Sequence, residues 1–297
     1  MINLSSPAAV SALLRRHHFS PSHGLGQNFL VDANTLARIV AAGELAPGDD
    51  VIEIGTGLGV LTQALAAQVG DSGRVATIER DPRLMPLHAE TLPPGELPQV
   101  RRIGADALEF DFAQALPPRP QDSSDRAPAV VANIPYNITS PLIARLLEHE
   151  PAFRVIVLLV QKEVGERLAA RPGTEAYGAI TVFAQLLAGV EIVGTVPPTV
   201  FFPPPKVTSA IIRLRPRARP AVEILDRQRY LWIVRASFGQ RRKTLLNALS
   251  SEATGWSREQ AQSVLETAGI DPKRRGETLS LAEFAALERA AATALRP

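Results

Sequence analysis

The run Asn133-Ile134-Pro135-Tyr136 holds the residue types that a reaction at an exocyclic base amine needs. The lone pair of such an amine is delocalised into its ring, so the nitrogen is a weak nucleophile. Two fixed acceptors, one for each amine proton, favour a pyramidal and more nucleophilic nitrogen. The side-chain oxygen of Asn133 and a backbone carbonyl beside Pro135 are acceptors of that kind. Asparagine is no base near neutral pH, so Asn133 would orient and polarise without removing a proton. Tyr136 offers a flat face on which a base can stack. Phe201, within Phe201-Phe202-Pro203-Pro204-Pro205-Lys206-Val207, offers a second ring on a proline-stiffened loop. An extruded base would lie between Tyr136 and Phe201. The plainer alternatives are a turn after a strand for the first run and core packing for one of the two phenylalanines.

A second constellation is Glu53-Ile54-Gly55-Thr56-Gly57-Leu58-Gly59, placed where a strand turns into a helix. Glycines there let the backbone approach a ligand and adopt turns that a Cβ forbids, and the helix start supplies free amide donors. A dinucleotide fingerprint would need Gly or Ala where Val60 stands. No Gly-Lys-Ser/Thr follows, so a phosphate-cradling loop is excluded as well. The spacing Gly-x-Gly-x-Gly resembles the nucleoside-binding loop of S-adenosylmethionine-dependent methyltransferases; a tight strand–helix turn would use the same glycines. Glu79 ends the next strand, 24 residues after Gly55, where a carboxylate can accept from both ribose hydroxyls. Asp106 follows the third strand and could accept from an adenine amine. Each acid alone is also a common solvent-facing strand end. Together, at consecutive strand ends, they point to a ligand crevice.

These groups need elements to position them. Apolar runs at 51–54, 74–78, 100–103, 130–132 and 154–160 alternate with helical stretches near 58–69, 82–91 and 140–149. Alternation of this sort predicts parallel strands joined by crossover helices, an open α/β sheet. Ser6-Pro7 and Asp32 are candidate helix starts ahead of the sheet. Residues 114–127 predict a surface loop or insertion. After the proline cluster, 206–214 alternates as a last strand. From 226 onward the pattern is helical, so a domain boundary is expected near 217.

Composition bounds the function classes. The 297 residues are 45% hydrophobic and 21% charged, an ordinary globular balance. With no cysteine, thiol catalysis, iron–sulfur clusters and sulfur-ligated zinc are excluded. His17, His18, His23, His88 and His149 form no metal-spaced pair, and no metal is expected. The longest apolar run, 155–160, is far too short to span a bilayer, and no secretory signal pattern opens the chain; a soluble, cytoplasmic protein without a membrane partner is expected. Residues 1–216 carry 18 basic and 21 acidic side chains, whereas 217–297 carry 14 and 9. An Arg-rich tail suits a polyanion, and it equally suits a solvated helical surface.

Gly26-Gln27-Asn28-Phe29-Leu30, 53–61, 133–141, 201–214 and Phe238-Gly239-Gln240-Arg241-Arg242-Lys243-Thr244-Leu245 together resemble the ribosomal RNA adenine dimethyltransferase family, and within it the small-subunit enzymes. The resemblance covers nearly the whole chain. It implies a Rossmann-like methyltransferase sheet, mostly parallel with its last strand antiparallel, over 1–216, and a small all-helical rRNA-binding domain over 217–297. It implies S-adenosylmethionine as cofactor and dimethylation of two adjacent adenines near the 3′ end of small-subunit (16S) rRNA, in a pre-ribosomal small subunit, by a monomer. Gln27, Asn28, Leu30, Gly55, Gly57, Glu79, Asp106 and Asn133 would contact the cofactor. Asn133, Pro135, Tyr136 and Phe201 would surround the target base, and Arg241, Arg242 and Lys243 would meet RNA phosphates. Three departures stand out: His23, Gly24 and Leu25 where basic residues are usual, Thr208 where the family has Asp, and Gly276 where it has Ala. Alternatives are a large-subunit adenine methyltransferase of the macrolide-resistance type and a non-catalytic ribosome assembly factor.

Overall fold

A computed structural model describes residues 2–22, 24–118, 126–240, 242–252 and 254–294. Of the sequence expectations, His23, Arg241 and the middle of the 114–127 loop lie outside the described residues. In chain order the elements are α1 (Pro7–Arg16), β1 (Phe29–Leu30), α2 (Ala33–Ala42), β2 (Asp50–Ile54), α3 (Val60–Val69), β3 (Arg74–Glu79), α4 (Met85–Thr91), β4 (Val100–Gly104), β5 (Ala129–Asn133), α5 (Thr139–Glu148), β6 (Val155–Gln161), α6 (Lys162–Leu168), α7 (Ala179–Leu187), β7 (Ala188–Val196), β8 (Phe201–Phe202), β9 (Ser209–Pro216), α8 (Arg227–Gly239), α9 (Leu245–Leu249), α10 (Arg258–Thr267) and α11 (Leu281–Ala294).

The chain divides into two compact units, 1–165 with 191–216, and 166–190 with 217–297. The first is built on a seven-stranded sheet of order β4-β3-β2-β5-β6-β9-β7. Its strands β4 to β6 run parallel, and β9 lies antiparallel to β6, from Ile156 opposite Leu214 to Gln161 opposite Ser209. Six consecutive β6 residues, 155–160, are buried, the unbroken apolar pattern of a strand covered on both faces. Strand order reverses between β2 and β5, which leaves a crevice beyond their carboxyl ends. The helix starts are as expected: Ser6 accepts from Ala9 N and Asp32 accepts from Thr35 N at 2.6 Å.

A two-stranded antiparallel ribbon pairs Phe29 with Phe202 and Leu30 with Phe201. Strands this short carry no periodicity to read, and the ribbon is absent from the sequence expectation.

The second unit is helical, but it takes in 166–190 as well as 217–297. A single cut near 217 therefore needs correction. Tyr177 explains the difference: its side chain is buried, its hydroxyl donates to Leu279 O at 2.9 Å, and its ring lies 5.9 Å from Phe238. Gly276, the family's alanine position, is pressed against α8, where an added Cβ would fall 2.5 Å from Ser237 O. No helix among the described residues is long and apolar enough to cross a membrane.

Candidate active site

The crevice at the reversal point is a cleft of about 1110 Å³, counting the part open to solvent. The three-glycine turn after β2 shapes its floor, with Gly55 and Gly57 in the lining. Gly55, Gly57 and Gly59 all have positive φ, of 82°, 55° and 91°. At Gly55 an added Cβ would lie 3.1 Å from Asn133 O, and at Gly59 it would press into Leu92. Side chains are thus excluded by backbone conformation and by space.

Glu79, at the end of β3, holds this loop. Its Oε2 accepts from Gly57 N at 2.9 Å and its Oε1 from Asp81 N at 2.8 Å. Burial raises its pKa above the usual carboxylate range. Each oxygen retains lone-pair capacity for a further donor. Beside it, Glu53 is fully buried in β2. Its Oε2 accepts from the hydroxyls of Thr62 and Thr77, while its Oε1 has no partner. Burial raises the Glu53 pKa to about 8. Folded Glu53 is therefore still neutral at pH values where the unfolded chain has ionised. Stability from this group is complete below the ordinary pKa near 4.5 and is lost progressively as pH rises towards about 8. Urea unfolding across that window should show a decline of a few kcal/mol that Glu53→Gln flattens; a variant with the parental slope would contradict this assignment.

The facing wall comes from β5. Asn133 closes that strand, and its Nδ2 donates to Asn28 O at 3.4 Å, which leaves its Oδ1 as the acceptor. Pro135 packs against Gly26, where an added Cβ would come within 3.2 Å of the proline ring. Gly26 has a φ of 65°, and Asn28 Nδ2 donates back to its carbonyl at 3.2 Å. Tyr136 is pinned by a hydroxyl contact with Ser209 Oγ at 2.5 Å. Asp106 Oδ1 accepts from Leu108 N at 2.9 Å, and its Oδ2 meets Arg80 Nη1 at 3.1 Å. Gln27 donates to Asp81 Oδ2 and accepts from Ser22 N, both at 2.7 Å, so its side chain ties the 22–27 loop to the end of β3.

The profile of the ribosomal RNA adenine dimethylase family matches residues 19–287. The chain belongs to the ribosomal RNA adenine dimethylase family. Its relatives include the ribosomal RNA small subunit methyltransferases A of Geobacillus kaustophilus (strain HTA426), 44% identical over 98% of this chain and 97% of the relative, and of Pelotomaculum thermopropionicum, 45% identical over 97% of each. Among solved structures it is similar to a dimethyladenosine transferase from Plasmodium falciparum, with TM-score 0.73 and 26% identity over 89% of this chain and 98% of that one. The 23S rRNA methyltransferase ErmE gives TM-score 0.64 and 30% identity over 89% and 99%.

Of the dimethylase residues picked out by sequence, Gln27, Asn28, Leu30, Gly55, Gly57, Glu79, Asp106, Asn133, Pro135 and Tyr136 all line the one cleft. Phe201 does not. It is 3% exposed and packs in the main core cluster with Leu30 and Val196. The antiparallel pairing with β1 decides which of the two phenylalanines turns inward: adjacent strand residues face opposite ways, so Phe201 is core and Phe202 is half-exposed. Phe201 therefore lies in the core beneath β1 and outside the cleft lining. Arg242 and Lys243 are exposed and lie in the turn between α8 and α9, ahead of Thr244 at the N-cap position of α9. Glu53 stands at the head of the glycine motif and carries no role of its own in the sequence expectation. Its signal is an acid set among Val51, Ile52 and Ile54, unusual unless something uses it. Among the described residues no cluster of acids and histidines is arranged to hold a metal.

Proposed function

We propose that this chain dimethylates the N6 amines of two adjacent adenines near the 3′ end of small-subunit rRNA, with S-adenosylmethionine as cofactor. Membership of the dimethylase family supports the reaction class. The observation that carries the reading is a single cleft in which the glycine turn, Glu79 and the Asn133–Tyr136 turn meet.

The residues suit the cofactor chemically. Glu79 would accept from the ribose hydroxyls while fixing Gly57 from behind. The unpartnered Glu53 Oε1 is a buried acceptor suited to an ammonium group; a cation there would draw the Glu53 pKa back down. Asp106 would accept from the adenine amine of the cofactor, and Leu30 would pack beneath it. When bound, S-adenosylmethionine supplies an electrophilic methyl group on sulfonium sulfur. The protein's task is then largely positioning. Asn133 Oδ1 and the carbonyl preceding Pro135 would accept the two protons of the target amine. Tyr136 would stack on the base, its ring held by Ser209.

The second unit would bind rRNA, with the exposed Arg242 and Lys243 on phosphate and Arg241 beside them in sequence. Replacing Arg242 and Lys243 by alanine should weaken rRNA binding and lower the salt slope by about 0.7–0.9 per lost phosphate contact. An unchanged slope would remove that patch from the interface. The reading also takes the enzyme as a monomer acting on a pre-ribosomal small subunit in the cytoplasm. The testing experiment is incubation with unmethylated small and large subunits, then primer extension and nucleoside analysis. Dimethyladenosine confined to the small-subunit rRNA is expected. Modification of the large-subunit rRNA alone would favour the 23S-type reading, and binding without transfer would favour an assembly factor.

A further inference from the structure

Outside the cleft, the first unit has a second concavity, between α1, the 18–21 turn and β8. It is lined by Leu14, Arg15, His18, Phe19, Pro21 and Phe202, among others. Phe19 and Phe202 are only partly buried, both packed on the small cluster that holds Leu14 and Phe29. Arg15 and His18 are exposed at its rim, and Arg83, ion-paired with Asp81 at 2.6 Å, lies 5.1 Å over the Phe19 ring. Among the described residues that line it, none is acidic. Phe29 stands between this groove and the cleft. Phe29 pairs with Phe202 across the ribbon, its ring stands 6.3 Å from Phe19, and it lines the cleft itself.

Partly open aromatic rings with an exposed arginine at the rim, beside a base-binding cleft, have the make-up of a single-stranded RNA groove. Apolar packing alone does not account for the rim. A core-only role gives no reason for the exposed Arg15 beside these rings. We propose that this groove receives the nucleotide of rRNA that flanks the target adenine, its base stacked on Phe202 and Phe19 and its phosphate met by Arg15 and His18. The register of the ribbon thereby gives the two phenylalanines separate work: Phe201 seals the core and Phe202 faces RNA. This inference rests on the rRNA reading of the cleft.

Two variants test it, Arg15→Glu at the exposed rim and Phe202→Leu, which keeps an apolar side chain but removes the aromatic face. Each is expected to raise the KM for unmethylated small subunits about fivefold to tenfold, the scale of one stacked base or one reversed phosphate contact. Affinity for S-adenosylmethionine, measured by calorimetry, should stay at the parental value, and so should kcat. Rescue of Phe202→Leu by Phe202→Trp would show that the aromatic face matters. The groove is overturned if both variants keep the parental KM within twofold, or if cofactor affinity falls in step with KM, which marks a packing defect. Should the parent protein methylate no small subunits, the reading of the cleft fails on its own. Quenching of 2-aminopurine in a short single-stranded RNA then still decides the groove: a loss in Phe202→Leu supports it, and no difference rejects it.

Discussion

Replacing Asn133 with alanine is expected to stop methyl transfer while rRNA binding stays near the parental level. The acceptor at Asn133 Oδ1 acts on the nitrogen that must become nucleophilic, so its loss falls on kcat. Removing one preorganised polar group at a reacting centre commonly costs about 10²–10³ in rate. Losses here should reach at least that scale, because an unassisted adenine amine is a poor nucleophile. The structural cost should be small: the only hydrogen bond given up with a named partner is the long one to Asn28 O, at 3.4 Å. Phosphate contacts carry most affinity for nucleic acid, so filter binding of rRNA should be little changed. Single-turnover transfer within a few-fold of the parent would contradict the role given to Asn133.

Glu79→Ala is the second variant with a large expected effect, and it acts on binding. The carboxylate accepts from Gly57 N and Asp81 N and would also accept from the cofactor ribose. Hydrogen bonds to a charged acceptor contribute roughly 1.5–3 kcal/mol each. Losing the ribose contacts and the support of Gly57 together should cost about 3 kcal/mol or more, a fall in S-adenosylmethionine affinity of about a hundredfold. Calorimetry reads this directly. Binding within threefold of the parent would remove Glu79 from the cofactor site.

The strands that carry these residues were legible because each is a short β-branched or apolar run ended by a chemically distinctive residue. Ile54 leads into Gly55, Ile78 into Glu79 and Ala132 into Asn133. A parallel strand's carboxyl end is where ligands gather, so reading the strands also placed the acids and the asparagine. Phe201 shows where that approach stops. Its direction depends on an antiparallel register set by Leu30, 171 residues earlier in the chain, and two-residue strands leave no pattern to count. The grouping of 166–190 with the C-terminal helices was hidden for a similar reason, since the Tyr177 hydroxyl finds its acceptor at Leu279, 102 residues away. Glu53 failed differently. Its type and place were visible, but its complete burial, with one oxygen unpartnered, is a property of three-dimensional packing.

The most direct measurement is a crystal structure of the protein with sinefungin, a stable stand-in for the methyl donor. The account predicts density in the cleft beyond β2 and β5, with the ribose on Glu79 and the amine that replaces the methylated sulfur directed towards Asn133. A ligand lodged in any other part of the protein, or one in the cleft whose ribose avoids Glu79, would contradict it.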